Sequence, residues 1–239
     1  MIPKKAHYII LPLFILAVNA CDGAVTHAPS SDISIGLAGG WNMSAIHYGD
    51  SPYSNGPFGP FDKPVHHMNA GLSVVYRHAG RWGIQTGLRW RRSGGKSETL
   101  TGTGETGDIL GSFWFVQDTR LVEIPLLLHY YPVSGNLQPF VFAGTSYGFV
   151  RHATESLVSD FSDPHEFSGD ILPEMNDHYA CLEFGLGLRL PVTGRLSAGA
   201  EASFLYGLTN QIKHPENDAV RKMREGRVSV TLDYRLFGL

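Results

Sequence analysis

A chain of 239 residues, 43% hydrophobic and 17% charged, is long enough for one large domain or two small ones. Its net charge of −3 excludes a polybasic nucleic-acid binder, and its charged fraction lies below the roughly 25% usual for soluble domains. Glycine (28) and the aromatics (Phe 13, Tyr 10, Trp 4) are abundant, which suits many short strands joined by turns.

The chain opens on a secretory pattern. Lys4 and Lys5 form a positive n-region, and residues 8–18 form an apolar stretch too short to span a membrane. Residues 1–20 are therefore expected to be a signal peptide. Val18, Asn19 and Ala20 precede Cys21, so two readings stand: ordinary cleavage, or a lipobox with Cys21 acylated. No later stretch is apolar and long enough for a transmembrane helix. Cys181 is left without an obvious partner, so no disulfide framework is implied.

From Asp32 onward, period-two alternation dominates. The first run carries Ile33, Ile35, Leu37, Gly39, Trp41 and Met43 on one face; the second carries Met68, Ala70, Leu72, Val74 and Tyr76. Trp82, Ile84, Thr86, Leu88 and Trp90 form the third, and Val122, Ile124, Leu126, Leu128 and Tyr130 the fourth. The fifth shows Val141, Ala143, Thr145, Tyr147 and Phe149, and the sixth Ala180, Leu182, Phe184, Leu186, Leu188 and Leu190. Leu196, Ala198, Ala200, Ala202, Phe204 and Tyr206 make the seventh; Val228, Val230, Leu232, Tyr234 and Leu236 make the last. Each run has about the ten residues that a tilted membrane strand needs.

Short connections, at residues 78–81, 132–136 and 191–195, are rich in turn formers. Long ones, at residues 47–64, 96–118, 151–177 and 211–226, alternate strictly with them. An outer-membrane barrel has short periplasmic turns, long external loops and periplasmic termini. The sequence therefore predicts one all-β domain over residues 32–239: an eight-stranded antiparallel up-and-down transmembrane β-barrel in the outer membrane.

Alternation alone does not separate a membrane barrel from a soluble one; charge does. The eight apolar faces contain no Asp, Glu, Lys or Arg. A lipid-facing Arg or Lys near mid-bilayer costs about 2–4 kcal/mol, so those faces suit contact with outer-membrane lipid. The opposite faces carry Arg89, Arg91, Glu123, Glu183, Arg189, Glu201, Asp233 and Arg235. These are expected to pair across a lumen that eight strands leave just wide enough for side chains. Two readings of the charges stay open, a structural plug and a path for protons or solute. Aromatics near the run ends fit interfacial girdles, and Pro125, with no N–H to donate, is expected to force a bulge.

The segment Leu121-Val122-Glu123-Ile124-Pro125-Leu126-Leu127-Leu128-His129-Tyr130-Tyr131 resembles the "LEIPLLLKYY" strand of the PorT-type outer-membrane β-barrel family. Pro139-Phe140-Val141-Phe142-Ala143-Gly144 resembles that family's next strand, and Tyr206-Gly207-Leu208-Thr209-Asn210 its "YGLTN" segment. The resemblance implies a barrel with no catalytic residues and, through the name-giving member, a part in protein secretion. It also implies contact with the outer-membrane assembly machinery, for which Phe237 stands near the end where barrels often finish on an aromatic. His129 replaces the commoner basic residue.

Chemistry is sparse. Gly102, Gly104 and Gly107 lack the strand-to-helix setting of a phosphate-binding loop, and no HxH or HExxH spacing marks a metal site among the 11 His. No cofactor is implied. A rim-located lipid-modifying enzyme would have His152 with Glu155 and Ser156, or His178 with Ser168, to draw on. Tyr53, Phe58 and Phe61 in the first loop and Phe113, Trp114 and Phe115 in the second are expected to pack loop on loop or to dock an envelope partner. The leading expectation is a non-enzymatic barrel with a structural or interaction role, assisting envelope or secretion proteins; the alternatives are a narrow channel and the rim enzyme.

Overall fold

Ten strands follow one another in the computed structural model, which describes residues 31–48, 61–103, 107–133, 135–160, 167–213 and 220–238. They are β1 (Ser31–Tyr48), β2 (Val65–His78), β3 (Trp82–Lys96), β4 (Leu100–Thr103), β5 (Ile109–Tyr130), β6 (Gln138–Ser159), β7 (Phe167–Asp170), β8 (His178–Pro191), β9 (Leu196–Gly207) and β10 (Arg221–Gly238). Eight of them (β1, β2, β3, β5, β6, β8, β9 and β10) each hydrogen-bond to two antiparallel neighbours, and the β1–β10 and β5–β6 ladders close the ring. The fold is the expected all-β, eight-stranded, up-and-down barrel. The predicted leader (residues 1–20) and Cys21 lie outside the described residues.

Ring closure leaves the wall without a free edge strand, which a sheet in contact with lipid requires. The short connections gather at one end with both ends of the described chain, where Asp32 pairs with Gly238 and Ser31 with His78. One of these turns sits in a demanding conformation. Ala79 (φ 50°) and Gly80 (φ 67°) are both left-handed, and Arg81 N–H donates to the His78 carbonyl at 3.2 Å, as in a type I′ turn. An alanine in this region carries a penalty of about 1 kcal/mol that glycine avoids. Ala79→Gly is therefore expected to raise stability by up to about 1 kcal/mol, read as a higher urea midpoint in lipid vesicles; an unchanged or lower midpoint would contradict this.

Faces divide as the alternation requires. Leu37, Leu126 and Val230 sit mid-strand yet are 59%, 58% and 64% exposed, a waste of apolar surface in water but not against acyl chains. Trp82 lies 4.7 Å from Tyr130 near the turn end of the wall, and Tyr147 packs edge-on to Phe149 at 5.4 Å nearer the loop end.

Three expectations change. The second and third long connections contain long stretches of strand: β5 and β6 run 22 residues each, pairing from Tyr130↔Val141 up to Phe113↔Ser159. With β4 on β5 and β7 on β6, they form a four-stranded blade reaching about 30 Å along the strands beyond the apolar band. Phe113, Trp114 and Phe115 belong to this blade rather than to an irregular loop, with Lys96 Nζ 3.9 Å above the Trp114 ring. Outside a bilayer both faces of a sheet are half-wetted, so no clean alternation marks it. Pro125 forces no bulge: it pairs with Ser146, and on the β3 side the ladder skips from Thr86↔Leu126 to Arg89↔Glu123 in unchanged register. The bulge lies instead at Arg120/Leu121, where Arg151 is the extra residue. Finally, part of the first loop enters the wall. Ile46 N–H donates to the Phe61 carbonyl (2.9 Å), and Lys63 and Lys96 exchange backbone bonds (3.0 and 3.1 Å) with Phe61 buried. Tyr53 and Phe58 lie outside the described residues.

Candidate functional site

The lumen concentrates the charge. Inward positions alternate with outward, exposed ones, so β3 contributes Arg89 and Arg91, β5 Glu123, β8 Glu183 and Arg189, β9 Glu201, and β10 Glu225, Arg227 and Asp233. Glu123, Glu183 and Glu225 are at most 1% exposed. A carboxylate so buried survives as an ion only with close partners.

Those partners are present in layers. Nearest the turns, Arg77 Nη2 donates to Asp32 Oδ2 at 2.5 Å and Nη1 to Gln138 Oε1 at 3.0 Å. Next come Leu127, Tyr131, Phe140 and Phe142, with the His129 ring 5.2 Å from both Phe rings. Arg189 Nε donates to Ser197 Oγ (2.8 Å), with its Nη2 3.7 Å from Asp233 Oδ2. Glu183 accepts from Arg89 Nη1 (2.7 Å), from Ser146 Oγ (3.2 Å) and from Arg227 Nη2. Toward the loop end, Arg91 bridges two acids, Nη2 to Glu123 Oε1 and Nη1 to Glu225 Oε2, each at 2.5 Å. Its guanidinium also lies 5.2 Å from the centre of the Tyr179 ring. Leu121, Tyr179, Cys181, Leu205 and Met223 then form an apolar cap.

Among the residues singled out from sequence, Arg89, Arg91, Glu123, Glu183, Arg189 and Asp233 meet in these layers. Glu201 is half-buried and faces a chamber shared with Gln85, His129, Arg189, Thr231 and Asp233. That chamber holds about 10 Å³, room for roughly one water. His129 lines it, and both nitrogens of its ring are buried with no hydrogen-bond partner. Arg235 stands apart: its guanidinium donates to the Gly194 carbonyl at an exposed turn. The β1–β10 irregularity between Ile33 and Ser34 falls next to it.

Sequence reasoning missed Asp32, Arg77, Glu225 and Arg227. Asp32 and Arg77 flank the apolar runs, and Glu225 fell in a predicted loop. Arg227 was legible as an inward position of the last run. One further signal was available: near the loop end the pattern inverts, with Met223 and Leu205 inside and Lys222 and Arg224 outside against the Tyr206 ring. Toward the loop end the wall follows the rule for a soluble barrel.

The residue types for a rim enzyme do not converge. Period two puts His152 and Ser156 on one face of β6 and Glu155 on the other, where burial pushes its carboxyl above the ordinary range. Ser156 and Ser168 are hydrogen-bonded at 3.0 Å, whereas His178 pairs with Phe149 and stacks on Tyr147 (5.8 Å), about 23 Å farther down the strand. Among the described residues no group of three or more His, Cys, Asp or Glu is arranged to hold a metal. Cys181 is buried and carries a free thiol.

A family model described as "Outer membrane protein beta-barrel domain" matches residues 26–213. No curated protein matches the chain. Among solved structures it is similar to Neisserial surface protein A at 12% identity, covering 84% of this chain and 97% of that one with a TM-score of 0.43. It is similar to OprG from Pseudomonas aeruginosa at 14% identity (89% and 99% covered, TM-score 0.40). It is also similar to the outer membrane protease OmpT from Escherichia coli at 11% identity (89% and 99% covered, TM-score 0.40).

Proposed function

We propose that this chain, which belongs to the outer membrane protein beta-barrel domain family, serves as a non-enzymatic scaffold that presents its loop-end blade to envelope or secretion proteins. The observation that carries this reading is the filled lumen. Charged layers and two apolar clusters cross the lumen, and among the described residues the chamber beside His129 and Glu201 has room for about one water, which supports a rigid wall rather than a passage. The blade of β4, β5, β6 and β7 supplies a surface beyond the lipid.

In this reading both termini and the short turns face the periplasm, and residues 1–20 are the removed leader. The resemblance of the residue 121–131 segment to PorT-type barrels supports a place beside a secretion assembly. Crosslinking in intact envelopes followed by pull-down is expected to capture discrete protein partners through the blade. Exchanging residues 109–116 for a short turn should abolish capture while the unheated protein keeps its faster gel migration. Absence of any specific partner would overturn the scaffold reading. The purified barrel is expected to be silent in planar bilayers; steady single-channel conductance would favour the channel instead.

A further inference from the structure

On the outside of the wall, three neighbouring strands end their apolar stretch in the same way. Trp90 is followed two residues on by Arg92 in β3, Phe149 by Arg151 in β6, and Val122 is preceded by Arg120 in β5. The three arginines are exposed and lie at one level: Arg92 pairs with Arg120, and Arg120 with His152, beside the bulged Arg151. Like charges directly opposite on one face of a sheet destabilise it. Asp118 is the acid among them: Arg92 donates to both its oxygens, Nη2 to Oδ2 at 2.7 Å and Nε to Oδ1 at 3.2 Å, while Arg120 Nε stands 3.9 Å from Oδ2 and His67 Nε2 3.9 Å from Oδ1. Three guanidiniums against one carboxylate leave a local charge of about +2 at the edge of the apolar band.

A groove of about 560 Å³ runs directly below. It opens because the β2–β3 ladder stops at Asn69↔Arg91 while β2 follows β1 onward to Val65. Above that point β3 turns to β1 instead: Asn42 Nδ2 donates to the Arg92 carbonyl (2.7 Å) and Gly94 N–H to Ser44 Oγ (2.9 Å). The groove is walled by Met68, Ala70, Trp90 and Val122 and rimmed by the arginines.

We infer that this groove binds a membrane lipid through its phosphate headgroup, with an acyl chain along Met68, Trp90 and Val122. Guanidinium forks match phosphate oxygens, and the cationic rim over an apolar trough matches a molecule with an anionic head and an apolar tail. A bound phosphate would relieve the Arg92–Arg120 repulsion. The assignment depends on neither the closed lumen nor the direction of the termini.

Native mass spectrometry of the full barrel in dodecyl maltoside micelles tests it, with dioleoyl phosphatidic acid and dioleoyl phosphatidylcholine as probes. Phosphatidic acid is expected to remain bound and phosphatidylcholine to be lost. The variant R92Q/R120Q/R151Q is expected to bind phosphatidic acid about tenfold more weakly or worse, which corresponds to about 1.4 kcal/mol. K222Q/R224Q, which removes cations elsewhere on the rim, should bind as the parent does. Equal retention of the two lipids, or parental affinity in the triple variant, would overturn the inference. Displacement of the lipid by millimolar inorganic phosphate would reduce the groove to a simple anion site and overturn it as a lipid site. Faster migration of each unheated variant on a gel establishes that it is folded. Failure here would leave the bilayer and crosslinking outcomes of the scaffold reading untouched.

Discussion

Replacing Glu183 with leucine is expected to destabilise the barrel by about 3–5 kcal/mol, the usual cost of removing one partner from a buried ion cluster. The side chain is unexposed and holds Arg89 at 2.7 Å on one oxygen and Arg227 on the other, with Ser146 as a further donor. Leucine would leave two guanidiniums facing each other in a lumen too narrow to hydrate them. Glu183→Gln keeps the shape and an acceptor, so its cost should be smaller. Urea unfolding in lipid vesicles, followed by tryptophan fluorescence, reads both values. Parental midpoints for both variants would mean that the cluster is solvated and that the lumen is more open than the layers imply.

Arg91→Met is expected to cost a similar 3–5 kcal/mol for the opposite reason, since it strands two acids rather than two bases. Glu123 and Glu225 each lie 2.5 Å from Arg91, and all three side chains are unexposed. Neutralising the acids as well should return most of the loss, because replacing every member of a buried ion cluster is far cheaper than removing one. The triple variant R91M/E123Q/E225Q is therefore expected to unfold closer to the parent than Arg91→Met does. Its failure to recover would mean that Arg91 acts through packing on Tyr179, 5.2 Å from its guanidinium, more than through charge.

The lumen layers also explain what could be read in advance. Arg89, Glu123, Glu183 and Arg189 stood on the polar side of strictly alternating runs, so their shared face followed from strand geometry alone. Which acid meets which base did not. Arg91 reaches Glu225 across the barrel, 134 positions away in the chain, and that contact depends on register and shear of the closed ring. Arg235 shows the limit from the other side. It holds an inward position by alternation, yet it sits at the turn end and its guanidinium reaches the Gly194 carbonyl.

Period two, the charge-free faces and the alternation of long and short connections determined from sequence alone that this is an eight-stranded barrel with one charge-free, apolar face turned outward. They could do so because a bilayer imposes a single rule on every strand that crosses it. Beyond the bilayer that rule lapses. The 22-residue reach of β5 and β6, the inverted pattern around Met223 and Leu205, and the Arg120/Leu121 bulge were decided only by tertiary structure. The same holds for the groove beneath Arg92, Arg120 and Arg151, which exists because β2 parts from β3 above Asn69↔Arg91. Each depends on which strand edges meet at that height, a property of the closed ring and of no single segment.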